Sequence, residues 1–99
     1  MTETRVIRYR TKLECADENA RLIELVFAEL AEREVPDLRY EAFRLDDGVT
    51  FVHVATLDGE RNPLAASPAF AAFQSGLGAR LDEGPYPAVA TVVGSHGVG

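Results

Sequence analysis

Cysteine and long apolar runs are nearly absent from this chain of 99 residues. Cys15 is the only cysteine, so neither an intramolecular disulfide nor a cysteine zinc cluster can form. A single thiol fits a reducing compartment, and we expect a cytoplasmic protein. The N-terminal segment MTETRVIRYRTK has no apolar run long enough for a signal peptide or a membrane span, so no membrane partner is expected.

Positive charge is also scarce. The 10 Lys and Arg residues are outnumbered by 16 Asp and Glu residues, which gives a net charge of -6. Nucleic-acid-binding proteins gather their basic residues on one face, whereas here they are scattered, so no nucleic-acid partner is predicted.

No P-loop or Rossmann glycine pattern occurs, and His53 and His96 are too far apart for a metal signature. We therefore expect neither a metal nor a cofactor.

What is present indicates a single globular domain. Hydrophobic residues make up 46% of the chain and charged residues 26%, a composition typical of folded rather than disordered proteins. The length suits one domain over residues 1–99, with a loose tail at residues 95–99.

Hydrophobic spacing and turn signals predict six elements. Alternating β-forming residues predict strands over residues 5–11, 38–45, 49–57 and 88–94. Apolar residues at helical spacing predict helices over residues 16–33 and from Pro68 to Leu81. Asp46-Asp47-Gly48 is a hairpin signal, and Ser67 is the expected N-cap of the second helix.

The element order predicts a ferredoxin-like α+β fold. A βαββαβ order gives one antiparallel sheet with both helices on the same face. The third and fourth strands are apolar on both sides, so Val49, Phe51 and Val92 would form an exposed apolar patch on the other face. A second copy of the chain is the simplest cover, so a homodimer is predicted, with an uncovered monomer as the alternative.

His53 is the strongest candidate for chemistry. If Val52 and Val54 face the helices, His53 faces the opposite side with Phe51 and Ala55, where it would line a cavity between two sheets. A histidine there could act as a general base near pH 7. The alternative is a buried histidine that is satisfied by a neighbouring carbonyl or by Arg8.

Other polar and aromatic residues could complete such a site. Arg8 and Arg44 would offer positive charge to an anionic or enolate-like substrate, or else they pair with surface carboxylates. Tyr40, like Tyr9 and Tyr86, could supply a hydroxyl donor, although aromatic packing is the more frequent use. The predicted site has His53 as its catalytic residue and a set of substrate-binding residues: Arg8, Tyr40, Arg44, Phe51, Phe70 and Phe73.

These features together resemble a known family. A first strand that ends in a Lys-Leu-Glu step, a helix rich in Glu and Leu, a hairpin and an SPAFAAFQ helix are similar to the antibiotic biosynthesis monooxygenase-like proteins. The resemblance covers about residues 5–94. It implies a dimeric α+β barrel, a homodimer and, among the activities of the wider group, oxygenation without a cofactor.

The chain also departs from that family. Members often carry a glutamate and a tryptophan near the end of the third strand, where this chain reads HVATLDGE and has no tryptophan. The first-strand asparagine and second-helix histidine of haem-degrading members are missing, which disfavours haem degradation. The sequence supports two hypotheses: a cofactor-independent monooxygenase of a small phenolic or enolic compound, or a dimer that only binds a small aromatic or anionic molecule.

Overall fold

The fold is one four-stranded antiparallel sheet with helices packed on one face. The computed structural model describes residues 2–58 and 62–97. Its strands are β1 (Thr2–Thr11), β2 (Leu38–Arg44), β3 (Thr50–Asp58) and β4 (Leu81–Ala90), and its helices are α1 (Ala16–Arg33), α2 (Pro68–Ser75) and α3 (Leu77–Arg80). Short 3₁₀ turns cover Leu13–Cys15 and Pro63–Ala66. The strand order β2-β3-β1-β4 confirms the predicted ferredoxin-like arrangement.

Helix α1 forms where its apolar spacing predicts it. Ile23, Val26 and Leu30 are buried against the sheet, and the helix covers residues 16–33 as predicted. The chain leaves the helix at Glu34, which adopts a left-handed conformation with φ 49°. Pro36 follows and cannot continue the helix.

The hairpin between β2 and β3 also follows its sequence signal. Gly48 adopts φ 79°, a conformation that glycine reaches without strain. The Asp47 carboxylate accepts hydrogen bonds from the backbone N–H groups of Val49 at 2.9 Å and Thr50 at 2.8 Å. Together with a hydrogen bond from the Thr50 hydroxyl, these contacts hold the pKa of Asp47 below its usual value. The interpretation of Asp47 as a turn residue is therefore confirmed.

The second helical region is shorter than predicted. Ser67 caps α2 as expected, since its hydroxyl accepts from the Phe70 N–H at 3.0 Å. Helix α2 ends at Ser75, however, and α3 is a single turn after Gly76. A Cβ on Gly76 would lie 2.7 Å from Nη1 of Arg80, so glycine leaves the room that this buried guanidinium occupies.

Strand β4 lies earlier in the chain than the sequence predicts. The prediction of residues 88–94 is wrong because pairing with β1 already begins at Leu81 and ends at Ala90. The cis Gly84-Pro85 step lies inside the strand, where shifts in the pairing register absorb the irregularity. Residues 91–97 have no regular structure, so residues 95–97 of the predicted tail lie outside the sheet, and residues 98–99 lie outside the described ranges.

The predicted assignment of β3 side chains to the two faces is reversed. Tyr9 pairs with Phe51 and Ile7 pairs with His53, so these four side chains share one face. That face is the helix-covered one: Tyr9 is 2% exposed, Phe51 1% and His53 5%. Both sides of β3 are apolar, so the alternation could not decide the register, and a one-residue shift exchanges all side chains between faces.

The helix-free face carries the residues that were assigned to the core. Val52 and Val54 lie there beside Arg8 and Val6 of the neighbouring strand β1. Val49 packs against the core cluster instead, and Val92 lies beyond the end of β4 and is 65% exposed. The predicted interface of Val49, Phe51 and Val92 is therefore wrong in its residues.

Within the described part of the chain, no helix is long and apolar enough to cross a membrane.

Candidate functional site

A cavity of about 360 Å³ lies between the helix-covered face of the sheet and α2. Most of its wall is apolar, and the larger apolar side chains that line it are Ile7, Leu57, Leu64, Phe70, Phe73 and Leu77. The polar side chains that line it are Arg5, Tyr9, Tyr40, His53, Asn62 and Gln74. The cavity thus has the volume and the mixed lining of a small-molecule pocket.

His53 is held between two tyrosine hydroxyls in the wall of this cavity. Its Nε2 lies 2.8 Å from the Tyr9 hydroxyl, and its Nδ1 lies 2.6 Å from the Tyr40 hydroxyl. Both ring nitrogens are therefore engaged, which fixes the imidazole plane. Neither nitrogen has a free position to contact a ligand directly.

Aromatic packing keeps the two tyrosines in place. The ring of Tyr9 stacks on Phe51 at 5.6 Å between centroids and 14° between planes. The ring of Tyr40 stacks on Phe27 of α1 at 4.8 Å. Pairs at such separations are stabilising beyond their buried area, so the hydroxyls on either side of His53 have restricted positions.

The hydrogen bonds continue behind Tyr9 into the core. The Asn19 Nδ2 donates to the Tyr9 hydroxyl at 2.9 Å, and Arg80 Nε donates to Asn19 Oδ1 at 3.0 Å. Arg80 also donates from Nη2 to the backbone carbonyl of Phe73 at 2.8 Å, and its guanidinium lies 5.3 Å from that ring's centroid. Asn19 and Arg80 are 0% and 4% exposed, so this is a buried polar network whose members have partners.

His53, Tyr9 and Tyr40 are neutral at pH 7, and burial moves the pKa of each farther from 7. It lowers the pKa of His53 to about 4. It raises the pKa of Tyr9 to about 12 against the opposing effects of Asn19 and Arg80. Burial, reinforced by Tyr9, also raises the pKa of Tyr40. The Tyr9–His53–Tyr40 cluster therefore offers neutral hydrogen-bonding groups, whereas Arg5, which also lines the cavity, carries a guanidinium paired with Glu3 at 2.7 Å.

Four of the seven predicted site residues meet in this cavity: His53, Tyr40, Phe70 and Phe73. They meet between the sheet and the helices, whereas the prediction placed the cavity between two sheets. His53 therefore lines a cavity, as predicted, although it lies on the opposite face of the sheet from the one predicted.

The other three predicted residues lie outside the cavity lining. Phe51 lies beneath Tyr9 in the core. Arg44 donates to the Gly48 carbonyl at 2.8 Å and to Asp17 at 3.0 Å, as the alternative of a surface ion pair predicted. Arg8 is exposed on the opposite face of the sheet, because its position in β1 alternates with those of Ile7 and Tyr9.

Sequence reasoning missed Asn19 and Arg80. Asn19 lies on the buried stripe of α1, four residues before Ile23. Arg80 follows Phe73 and Leu77 at helical spacing, on the apolar side of α2 and α3. A polar residue that interrupts an apolar stripe was the available signal, since such residues need a buried partner.

Among residues 2–58 and 62–97, no group of three His, Cys, Asp or Glu side chains is placed to hold a metal ion.

Comparisons with known proteins agree on the fold. No family model matches the sequence, and no curated protein matches it. Among solved structures, an antibiotic biosynthesis monooxygenase matches with TM-score 0.75 at 16% identity, over 95% of this chain and 100% of that one. SnoaB, a cofactor-independent oxygenase from Streptomyces nogalater, matches with TM-score 0.69 at 18% identity, over 98% of both chains.

The Mycobacterium tuberculosis protein Rv0793 is also similar, with TM-score 0.72 at 15% identity, over 96% of this chain and 98% of that one. At sequence identities this low, the structural similarity establishes a shared fold and no more. The predicted resemblance to antibiotic biosynthesis monooxygenase-like proteins is thus confirmed for the architecture, over nearly the whole length of each chain.

Proposed function

We propose that this protein is a cofactor-independent oxygenase that binds a small phenolic or enolic compound in the cavity beneath α2. The observation that carries the proposal is the hydrogen-bonded Tyr40–His53 pair in the wall of a mostly apolar cavity. Similarity of fold to SnoaB supports the type of reaction, and the cavity supports the class of substrate.

The cavity suits a compact planar molecule with one oxygen to be positioned. A volume of about 360 Å³ lies at the small end of the range for ligand pockets. Phe70 and Phe73 provide aromatic surfaces, while Ile7 and Leu77 exclude water. Tyr9, His53 and Tyr40 form a cluster of hydrogen-bonding groups in the wall, so a bound ring would direct its oxygen substituent toward Tyr40.

The reaction needs an electron-rich carbanion or enolate that meets O₂. In the proposed cycle the substrate loses its proton to solvent, binds as its phenolate or enolate, and is oxidised at a neighbouring CH₂ group, which becomes a carbonyl. One oxygen atom of O₂ enters the product, and the other leaves as water with the two hydrogen atoms of that group, so no external reductant is consumed. The Tyr40 hydroxyl stabilises the substrate oxyanion, as hydrogen-bond donors do at developing negative charge.

His53 acts through Tyr40 in this proposal. Both imidazole nitrogens bind tyrosine hydroxyls, so His53 does not contact the substrate as the base that the sequence predicted but positions the Tyr40 hydroxyl. An imidazole with a pKa of about 4 is a weak base but a good hydrogen-bonding partner at neutral pH.

The same observation favours one alternative. Because the cavity presents no free base, a dimer that only binds a small aromatic or anionic molecule remains the second candidate. Binding without turnover in air would favour this alternative over the oxygenase.

A panel of phenols and enolisable polycyclic ketones, screened first by thermal shift and then by O₂ consumption, tests the proposal. We expect the compounds that bind to include at least one that consumes O₂ and gives a carbonyl product. Tyr40→Phe should lower that rate by about tenfold to a thousandfold, the effect of losing one oxyanion donor. The matched control is Tyr86→Phe, which removes the hydroxyl of a residue that is 52% exposed on the other face and should not change the rate. Binding without O₂ consumption for every compound would overturn the oxygenase.

A second copy of the chain is the proposed partner, docked on the helix-free face. Val6, Val52 and Val54 form an apolar centre there, flanked by Phe43 and Tyr86, which are 46% and 52% exposed. Exposed patches of this kind usually mark an interaction surface. The cytoplasm is the proposed compartment, since Cys15 is a free thiol.

A further inference from the structure

We infer that the hydrogen bonds of this network all donate in one direction, which leaves the Tyr40 hydroxyl as a donor to the ligand. The site therefore selects a ligand oxygen that accepts a hydrogen bond: a phenolate, an enolate or a carbonyl. The chain of hydrogen bonds runs from Arg80 through Asn19, Tyr9 and His53 to Tyr40. Its direction rests on geometry alone, while its use in oxygenation rests on the proposed function.

The direction is set at Arg80. A guanidinium can only donate hydrogen bonds, and Arg80 Nε lies 3.0 Å from an oxygen of Asn19. The Asn19 side chain therefore presents its carbonyl to Arg80 and its NH₂ group to the Tyr9 hydroxyl at 2.9 Å. The donation from Arg80 to the Phe73 carbonyl and the space above Gly76 hold the guanidinium in this place.

Tyr9 passes the direction on to His53. Its oxygen already accepts from Asn19, so its own proton needs an acceptor, and Nε2 of His53 lies 2.8 Å away. In the reverse arrangement Nε2–H would donate to Tyr9, and the Tyr9 proton would have no acceptor among the described residues. Tyr9 is 2% exposed whereas Tyr40 is only half-buried, so a hydroxyl proton without a partner costs more at Tyr9 than at Tyr40.

His53 is therefore protonated on Nδ1 and donates to Tyr40. The Tyr40 oxygen lies 2.6 Å from Nδ1, and within residues 2–58 and 62–97 it has no other hydrogen-bond partner. Since Tyr40 lines the cavity, its own O–H is free to point toward a ligand. A ligand oxygen that accepts completes the chain, whereas a ligand hydroxyl that must donate finds a competing donor.

The tautomer of His53 tests the chain without any ligand. Nitrogen NMR of ¹⁵N-histidine-labelled protein, with the His96→Gln variant for assignment, should show the Nδ1–H form in the wild-type protein at pH 7. The Nε2–H form in the wild type would overturn the inference. This measurement needs no variant at positions 19 or 80, so it does not depend on whether such variants fold.

A substitution of Asn19 should reverse the chain. Asn19→Asp replaces the donating NH₂ group by an oxygen, so the carboxylate accepts from both Arg80 and Tyr9. Tyr9 then accepts from Nε2–H of His53, and Tyr40 turns its proton to Nδ1. We expect the Nε2–H tautomer in this variant. The control is Leu25→Asp, which introduces a carboxylate at a residue 51% exposed on the same helix and should keep the Nδ1–H form. An unchanged tautomer in Asn19→Asp would contradict the inference.

A chromogenic phenol reports the selectivity. The ionisation of para-nitrophenol can be followed by its visible absorbance in the presence of saturating protein. If the wild type binds the ionised form about tenfold more tightly than the neutral form, the apparent pKa of the probe falls by about one unit. Tyr40→Phe should abolish this decrease, Asn19→Asp should abolish or reverse it, and Tyr86→Phe should retain it. A bound probe with an unchanged or raised pKa in the wild type would overturn the acceptor selectivity.

Failure of the inference and failure of the proposed function can be told apart. A wild-type Nδ1–H tautomer and a lowered probe pKa without any O₂ consumption would support the hydrogen-bond chain and reject the oxygenase. O₂ consumption with an Nε2–H tautomer would support the oxygenase and reject the chain.

Discussion

The two faces of the sheet belong to the same strands and both carry apolar side chains, yet they differ in how their polar side chains are satisfied. On the helix-covered face, Tyr9 and His53 are buried, and each has hydrogen-bond partners inside the protein. On the helix-free face, Arg8 extends into solvent between half-buried valines such as Val52. The covered face therefore contains buried polar groups with partners inside the protein, whereas the open face presents an apolar surface to solvent.

The covered face suits the proposed ligand site, and the open face suits the proposed dimer interface. A polar group that is buried with its partners keeps a fixed position and a shifted pKa, which suits the selection of a small molecule. An apolar surface with solvent-exposed charged residues around it suits association with another chain.

Removing an aromatic ring from the covered face should cost far more stability than removing one from the open face. Phe51→Ala leaves a cavity beneath Tyr9 and should lower the free energy of unfolding by roughly 3–5 kcal/mol. Phe43→Ala, at a ring 46% exposed on the open face, should cost less than about 1 kcal/mol. Urea denaturation at low protein concentration measures both. Equal losses would refute the division between the faces.

Acid should destabilise the protein through His53. Its folded pKa of about 4 lies below the ordinary value of 6.5, so between these pH values the unfolded chain binds a proton that the folded protein does not. The contribution is complete above about pH 6.5 and is lost as the pH falls toward 4, by up to ~3 kcal/mol. The comparison is with His53→Gln, which lacks the titrating group but keeps the exposed His96. Parallel pH profiles for the two proteins would show that His53 is not buried as a neutral group.

A charge on the open face should weaken the proposed dimer and leave the cavity intact. Val54→Asp introduces a carboxylate beside Glu41 of β2 and should raise the dimer dissociation constant by roughly tenfold or more. Leu25→Asp makes the same change at a residue 51% exposed on α1 and serves as the control. Sedimentation equilibrium measures the dissociation constants. A wild-type chain that is monomeric at high micromolar concentration would remove this interface altogether.

Two neighbouring glycines should respond oppositely to alanine. Gly76→Ala would place a Cβ 2.7 Å from Arg80 and displace the guanidinium that starts the hydrogen-bond chain, with a loss of about 1 kcal/mol. Gly78→Ala meets no atom within 4 Å and should stabilise the protein by roughly 0.4–1 kcal/mol. Melting curves of the two variants give the comparison. Stabilisation by both substitutions would mean that Arg80 is not held at Gly76.

The local signals of the sequence determined much of the architecture. Helix α1, the Asp47-Gly48 turn and the Ser67 cap each depend on residues close together in the chain, and each forms where predicted. The element order then restricts the topology, because antiparallel pairing and right-handed crossovers leave few arrangements. His53 and Tyr40, which line the cavity, were also among the residues that the sequence singled out, His53 because it is a polar residue in an apolar strand.

Only the tertiary structure decided which face carries the site. Both sides of β3 are apolar, so local alternation was degenerate, and the register came from pairing with β1 across more than forty residues. The helix that ends at Ser75 and the early start of β4 likewise depend on the buried Arg80 and on β-pairing at Leu81. The direction of the hydrogen-bond chain also depends on tertiary structure, because it requires Arg80 and His53 to share one network although Arg80 lies 27 positions after His53 in the sequence.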